Sequence, residues 1–303
     1  MSPDRVEEAA RRYVPGVGAV SVERLGRGLV NESHRVMRDG RVYSLRMPAA
    51  EPAPTGVDRE WECRVLALAS AAGLAPTIEC CEPRLGVLVA QWEEGRTLRA
   101  DEARGPDAAA RVAELMRRVH ALRLPGNARV LGPADWIEHY RDALTRLPMA
   151  ARQAPRMQGR AAGADALQAE AERRLGALEA VSRAPRVLCH SDLHPANLVE
   201  TKRGLVLLDW EYAHVSEALW DVAGWACNND LEPAARAFLL MSYLGRPPSG
   251  EEAQRLEDLA WLYDYVCLLW SEVYCGAAGA SDERILERGC TLACRLRAVP
   301  VVA

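Results

Sequence analysis

Apolar and polar positions alternate over the first part of the chain and then yield to a three-to-four-residue repeat. The alternation predicts strands in "VSVERL" and "ESHRVM", which flank the turn "GRGLVN", and in "VYSLRMP", which follows the hairpin signal "DGR". "DREWECRVLALASAAG" has helical spacing, with Trp61, Val65, Leu68 and Ala69 on one face and Gly73 as its stop. "GVLVAQWEEG" reads as a buried strand leaving the sheet. From there the helical period dominates, in "DAAARVAELMRRVHAL", "DWIEHYRDALTRL", "ADALQAEAERRLGALEAV" and "AQRLEDLAWLYDYVCLLWSEVY". The Pro-, Gly- and Arg-rich "PMAARQAPRMQGRAAG" predicts a mobile loop. Strand-like "VLCH", "NLVE" and "GLVLLDW" interrupt the helices. The pattern predicts an α+β chain: a small strand-rich lobe over residues 1–94, a hinge near Gln91 to Gly95, and a mainly helical lobe over residues 95–303.

Composition narrows the class. With 49% apolar and 26% charged residues in 303, the chain can bury a large core. No stretch has signal-peptide form or runs 18 apolar residues without a charge, so a cytoplasmic protein with no membrane partner is expected. Nine cysteines, an odd number without C-x-x-C or a zinc spacing, are expected to be buried thiols. A net charge of -4 argues against nucleic acid as a partner. Between Arg186 and Cys275, 14 acids face 6 bases, an acidic segment suited to a metal ion or a cationic substrate. The chain specifies no oligomeric state.

That segment holds the candidate chemistry. "LCHSDLHPANLVETKRGLVLLDWEYA" places Asp192 on a loop between strands, Asn197 five residues on, and Asp209 at the end of a hairpin arm, with Glu211 two further. A loop acid can orient a hydroxyl and take its proton; an amide and a carboxylate can hold Mg²⁺ on nucleotide phosphates. The spacing points to phosphoryl transfer, with a loop in which Asp and Asn only cap turns as the plain alternative.

"HSDLHPANL", "LLDWEYA" and "ALWDVA" resemble the aminoglycoside phosphotransferase and choline kinase superfamily, most closely its bacterial choline/ethanolamine kinases, with thiamine kinase next. "GRGLVNESHRV", "YSLRMP", "DREWE" and "LVAQWEEGRTL" follow in family order. The resemblance implies a protein-kinase-like two-lobed fold and ATP and Mg²⁺ as cofactors. Asp192 would be the catalytic base, Asn197 and Asp209 the Mg²⁺ ligands, and Glu211 a further acid near metal or substrate. Asp221 would support the lobe. His190 would hold the catalytic loop, and as a residue alone it equally fits a satisfied core histidine.

For the nucleotide, the resemblance points to the turn residues Gly26, Gly28 and Asn31 and the hinge residues Gln91 and Glu93; taken alone, the two glycines fit an ordinary hairpin equally. Protein kinases grip phosphate with a strand lysine paired to a helix glutamate. The only lysine here is Lys202, so Arg46 of "SLRMP" takes the matching place, with Glu62 of "REWE" as partner. A guanidinium forks onto phosphate and keeps its charge. Arg46 as a solvent-facing strand residue is the plain alternative.

No long segment ending in Ala-Pro-Glu follows Asp209, and Ser191 stands where many protein kinases carry arginine, so a small acceptor is expected rather than a peptide. Aromatic residues among acids in the C-terminal segment suit a cationic alcohol such as choline or ethanolamine. Trp270, Tyr263 and Glu217 are the expected substrate contacts, although such stripes also build cores. Where choline kinase-like proteins often carry an Asn-Asp pair after "EYA", this chain has Ser216 and Glu217. Thiamine, an aminoglycoside or another hydroxyl compound stay open as acceptors, and a nucleotide-binding pseudokinase stays open as a different class. A serine hydrolase is disfavoured, since Ser191 lacks a G-x-S-x-G context.

Overall fold

The computed structural model describes residues 3–27, 31–49, 55–124, 126–149, 163–180, 185–277 and 283–298. It divides into two compact units, and not at a single point in the chain. The first comprises Met1–Pro52, Val57–Arg99 and Pro195–Ala213, and the second Ala53–Gly56, Ala100–His194 and His214–Ala303. The hairpin 195–213 therefore groups with the N-terminal strands.

The first unit is built on an antiparallel sheet of five strands: β1 (Val20–Arg27), β2 (Asn31–Arg38), β3 (Arg41–Pro48), β4 (Ile78–Glu82) and β5 (Val87–Gln91), in the order β1-β2-β3-β5-β4. The predicted hairpin closes through Asp39 and Gly40, both at positive φ (50° and 76°), the conformation a two-residue turn demands. Beside the sheet lies a helix the alternation did not announce, α1 (Pro3–Tyr13), whose Val6, Ala9 and Ala10 join Val36, Leu45 and Val89 in one apolar core. Each such side chain contributes about 1–3 kcal/mol by leaving water.

Helix α2 (Arg59–Ala71) starts where Asp58 accepts a hydrogen bond from Trp61 N at 2.9 Å, and stops before Gly73 at φ 68°. A three-stranded sheet of β6 (Arg96–Thr97), β8 (Leu198–Thr201) and β9 (Gly204–Leu207) completes the unit. Strand β9 is shorter than expected, because the chain turns away after Leu207 and Asp209 lies in the left-handed region at φ 57°.

The second unit is helical: α3 (Pro106–His120), α4 (Pro133–Arg146), α5 (Ala164–Ala180), α6 (Leu219–Asn228), α7 (Pro233–Leu244), α8 (Gly250–Ala277) and α9 (Glu283–Ala298). Within it β7 (Arg186–Cys189) pairs antiparallel with β10 (His214–Glu217). Strand β10 was not expected from the pattern. Helix α8 has 28 residues, with Leu259, Leu262 and Val273 fully buried. Among the described residues no helix is long and apolar enough to cross a membrane. The expected loop 148–163 lies mostly outside the described residues.

The cysteines depart from expectation. Cys63 of α2 and Cys81 of β4 form a disulfide, and Cys290 and Cys294 are exposed, so buried thiols describe only some of the nine. The spacing gave no warning, because Cys63 and Cys81 meet only once α2 packs beside β4.

Candidate active site

In the first unit, β3 carries Arg46 inward and the first turn of α2 carries Glu62. Arg46 Nη2 donates to Glu62 Oε2 at 2.7 Å, and its Nη1 lies 2.6 Å from Oε1. Both side chains are buried, so the pair is a two-point contact shielded from water. Burial alone would raise the Glu62 carboxyl; the Arg46 and Arg59 guanidiniums hold it below its ordinary value. Arg46 Nη1 also donates to Asp209 Oδ1 at 3.1 Å.

Arg59 extends this network. It donates to Glu62 at 2.8 Å, to Glu211 at 3.0 Å and to the Asn31 side-chain oxygen at 2.7 Å, and Asn31 Nδ2 donates to Glu211 at 2.6 Å. Three carboxyl groups, Glu62, Asp209 and Glu211, thus face two guanidiniums. The excess appears at Glu211, whose pKa burial and the charge of Asp209 push up to about 8. Asn31 and Glu211, expected at nucleotide and at metal or substrate, share one buried hydrogen-bonded cluster.

A cavity of about 340 Å³ opens within the same unit. Arg46, Asn197 and Asp209 line it, Leu45, Leu66, Ile78 and Leu88 are among its apolar walls, and it is also lined by Gln91 and Glu93. The last two side chains are already engaged, Gln91 with Glu79 at 2.7 Å and Glu93 with Arg203 at 2.9 Å. Asn197 ends a short 3-10 turn (Pro195–Asn197), and its carbonyl accepts from Leu208 N at 2.8 Å, next to Asp209. Gly26 sits beside a bulge in β1, and Gly28 lies outside the described residues.

This donor set fits a nucleotide with its divalent cation. Arg46 Nε is buried without a hydrogen-bond partner. Asn197 and Asp209 offer the hard oxygens such a cation takes. Glu211, raised to about 8, is mostly protonated at neutral pH, and a bound cation would favour its ionised form.

In the second unit, the loop after β7 carries His190, Ser191 and Asp192. Asp221, on α6 and 1% exposed, accepts from His190 N at 2.9 Å and from Ser191 N at 2.7 Å. Those bonds hold Ser191 at φ 68°, a conformation that costs a non-glycine residue about 1–2 kcal/mol. His120 Nε2 lies 3.1 Å from the Asp221 carboxylate and its Nδ1 2.8 Å from the Tyr243 hydroxyl. Burial would raise Asp221, but its bond and charge interaction with His120, followed by the bonded backbone and charge of His190, lower it. His190 is fully buried, and Asp192 N donates to its Nδ1 at 3.3 Å, so the ring braces the loop from inside.

Burial pushes the Asp192 carboxyl up, yet its contact with His194, 3.6 Å away, and the charges of His194, His190 and Arg288 bring it below its ordinary value. A carboxylate in that state is ionised through the neutral range and can accept a proton.

The expected acceptor contacts divide. Tyr263, on α8, donates through its hydroxyl to Ser191 O at 3.2 Å, receives Asn228 Nδ2 at 3.1 Å, and packs on Trp220. Trp270 stacks on Tyr274, with ring centroids 5.3 Å apart. Glu217 is buried, and Arg255 binds both its carboxylate oxygens, at 2.6 and 3.1 Å, so the cation contact expected of it is taken by that arginine. Arg59, His120, Tyr243, Asn228 and Arg288 were not anticipated as part of these clusters. Only Arg59 left a local signal, three residues before Glu62 in "REWE".

The model of the phosphotransferase enzyme family (APH) matches residues 21–256. The chain belongs to that family. Among the chain's relatives is choline kinase alpha of Mus musculus, 28% identical over 144 residues, or 45% of this chain and 31% of that protein. Probable choline kinase 2 of Arabidopsis thaliana is 24% identical over 238 residues, 71% and 63% of the respective lengths. The chain thus spans less than two thirds of either relative. The solved choline kinase LicA from Streptococcus pneumoniae has the same fold, with a TM-score of 0.75 at 19% identity over 97% of this chain and 98% of that one. The expected α+β, kinase-like fold class is therefore the observed one.

Proposed function

We propose that this phosphotransferase is a small-molecule kinase that transfers the γ-phosphoryl group of ATP to the hydroxyl of choline, ethanolamine or a related amino alcohol. The observation that carries the reading is the buried Arg46–Glu62 pair on a cavity that also holds Asn197 and Asp209. Arg46 grips nucleotide phosphate, and the apolar wall of the cavity covers the base. Asn197 and Asp209 hold Mg²⁺, which when bound neutralises charge on the phosphates.

Asp192 orients the acceptor hydroxyl and takes its proton as the oxygen bonds to γ-phosphorus. The bond from γ-phosphorus to the β-bridging oxygen breaks, and ADP leaves with that electron pair. Asp221 and His190 keep the loop in the conformation that presents Asp192. The relatives named as choline kinases support an amino alcohol as acceptor.

Nucleotide consumption with Mg²⁺ and a panel of choline, ethanolamine, thiamine, homoserine and aminoglycosides tests the reading, with Asp192→Asn alongside. Turnover with an amino alcohol that disappears in the variant is expected. Turnover only with thiamine or an aminoglycoside would keep the chemistry and replace the acceptor, and silence across the panel with tight ATP binding would favour a binding module.

A further inference from the structure

Arg288, on an exposed face of α9, differs from other arginines of this unit. Arg255 is held by Glu217, Arg174 by Glu170 and Asp258, and Arg295 by Asp264 and Asp230. No carboxylate of a described residue pairs with Arg288. Among the described residues its one hydrogen bond is from Nη2 to Asn228 Oδ1, at 2.7 Å.

That bond places Arg288 next to the loop bearing Asp192. Asn228 Nδ2 donates to Leu193 O at 3.0 Å and to the Tyr263 hydroxyl at 3.1 Å, and Tyr263 donates to Ser191 O at 3.2 Å. Asn228 and Tyr263 so fasten the backbone on both sides of Asp192, and Arg288 is fastened to Asn228. Its charge is among those that lower the Asp192 carboxyl, and burial, with Cys267 and Asp192 nearby, keeps the Tyr263 phenol protonated as a donor.

Two carboxylates that a quaternary ammonium could otherwise use are occupied. Glu217 and Asp264 are each neutralised by an arginine. Beside the loop, Arg288 has donors beyond its bond to Asn228 and makes no direct carboxylate pair among the described residues.

We infer that Arg288 binds an anionic group of the acceptor, a carboxylate above all, so that the amino alcohol phosphorylated here is a hydroxy amino acid. This rests on the reading of Asp192 as the base at the acceptor hydroxyl. The guanidinium fork pairs with a carboxylate through two parallel N–H bonds, and a lysine at the same place would make a weaker point contact. Asn228 fixes the direction of the fork.

The test uses acceptor pairs that differ by one carboxylate: serine with ethanolamine, and homoserine with 3-aminopropan-1-ol. The full-length protein is expected to prefer the acid of at least one pair by roughly tenfold or more in kcat/KM. Arg288→Gln erases that preference by raising KM for the acid, with the KM for ATP changed less than about twofold, while Arg288→Lys retains part of it. Equal or reversed preference in the wild type would overturn the inference. So would an Arg288→Gln variant that loses affinity for ATP and keeps its acceptor discrimination, which would make Arg288 a nucleotide contact.

If no pair turns over, the amino-alcohol reading has failed, and calorimetric binding of the same pairs to the protein with Mg²⁺ and a non-hydrolysable ATP analogue decides this inference separately. Tighter binding of the acid that Arg288→Gln abolishes would sustain it; binding without preference, or none at all, would end it.

Discussion

Arg46 and Glu62 meet through two buried contacts of 2.7 and 2.6 Å, and the same guanidinium reaches Asp209 at 3.1 Å. One side chain thereby ties strand β3, helix α2 and the segment after β9 together at the edge of the cavity. Removing one partner of a buried pair leaves the other charge uncompensated, at a cost of about 3–5 kcal/mol. Arg46→Ala is therefore expected to lower the melting temperature and to raise the KM for ATP by roughly tenfold or more. Steady-state kinetics checks this, and an unchanged KM would remove Arg46 from the nucleotide site.

Asp221 is expected to act on both stability and turnover. Asp221→Asn keeps the shape but loses the charge that holds two backbone N–H groups and His120, for a loss on the order of 3 kcal/mol. The kcat should fall more than KM rises, because the loop bearing Asp192 loses its anchor. The Asp221 carboxyl is held below its ordinary value in the folded chain. Its contribution is accordingly present above the unfolded value, about pH 4, and is lost as pH falls through the lower folded value. Thermal unfolding of wild type and variant from pH 3 to 8 should show the two converging at the acid end; a constant gap would contradict this.

The Cys63–Cys81 disulfide follows Glu62 directly and closes a loop of 18 residues. A loop of that size corresponds to about 3 kcal/mol in the chain-entropy account. Reduction, or Cys63→Ser, should lower the melting temperature and weaken ATP binding by loosening α2 against β4. Identical unfolding curves with and without reductant would show that the bridge contributes nothing.

Much of this was readable locally. Alternation marked β2 and β3, Gly73 bounded α2, and Arg46 and Glu62 were recognisable because each occupies a defined place on a predictable element. The His190–Asp192–Asn197 spacing was visible because it lies within eight residues. The Asp221 anchor with His120 and Tyr243 was hidden, since His120 and Asp221 are 101 residues apart and only the packing of α3, α6 and α7 joins them. The engagement of Glu217 by Arg255 and the open guanidinium of Arg288 were equally invisible, because pairing among 37 arginines is decided by tertiary contacts. Strand β4 escaped because "IECCE" is short and its glutamates and adjacent cysteines break the apolar alternation, although Pro83 and Gly86 bound it.

The pH profile separates Asp192 from its histidine neighbours as the base. The folded chain holds Asp192 below its ordinary value. Its carboxylate is therefore present at neutral pH and is lost only as pH falls below about 4. The acid limb of kcat/KM should lie there. A limb centred between about pH 6 and 7 would assign the proton acceptor to His190 or His194 instead.

The most direct test of phosphoryl transfer is to follow the γ-phosphoryl group of labelled ATP, with Mg²⁺, into amino alcohol and hydroxy amino acid acceptors in the presence of wild type and Asp192→Asn. Label in the acceptor hydroxyl with the wild type, reduced by roughly a hundredfold or more in the variant, is the predicted result. Label that reaches only water, or transfer to the acceptor undiminished in Asp192→Asn, would contradict the account.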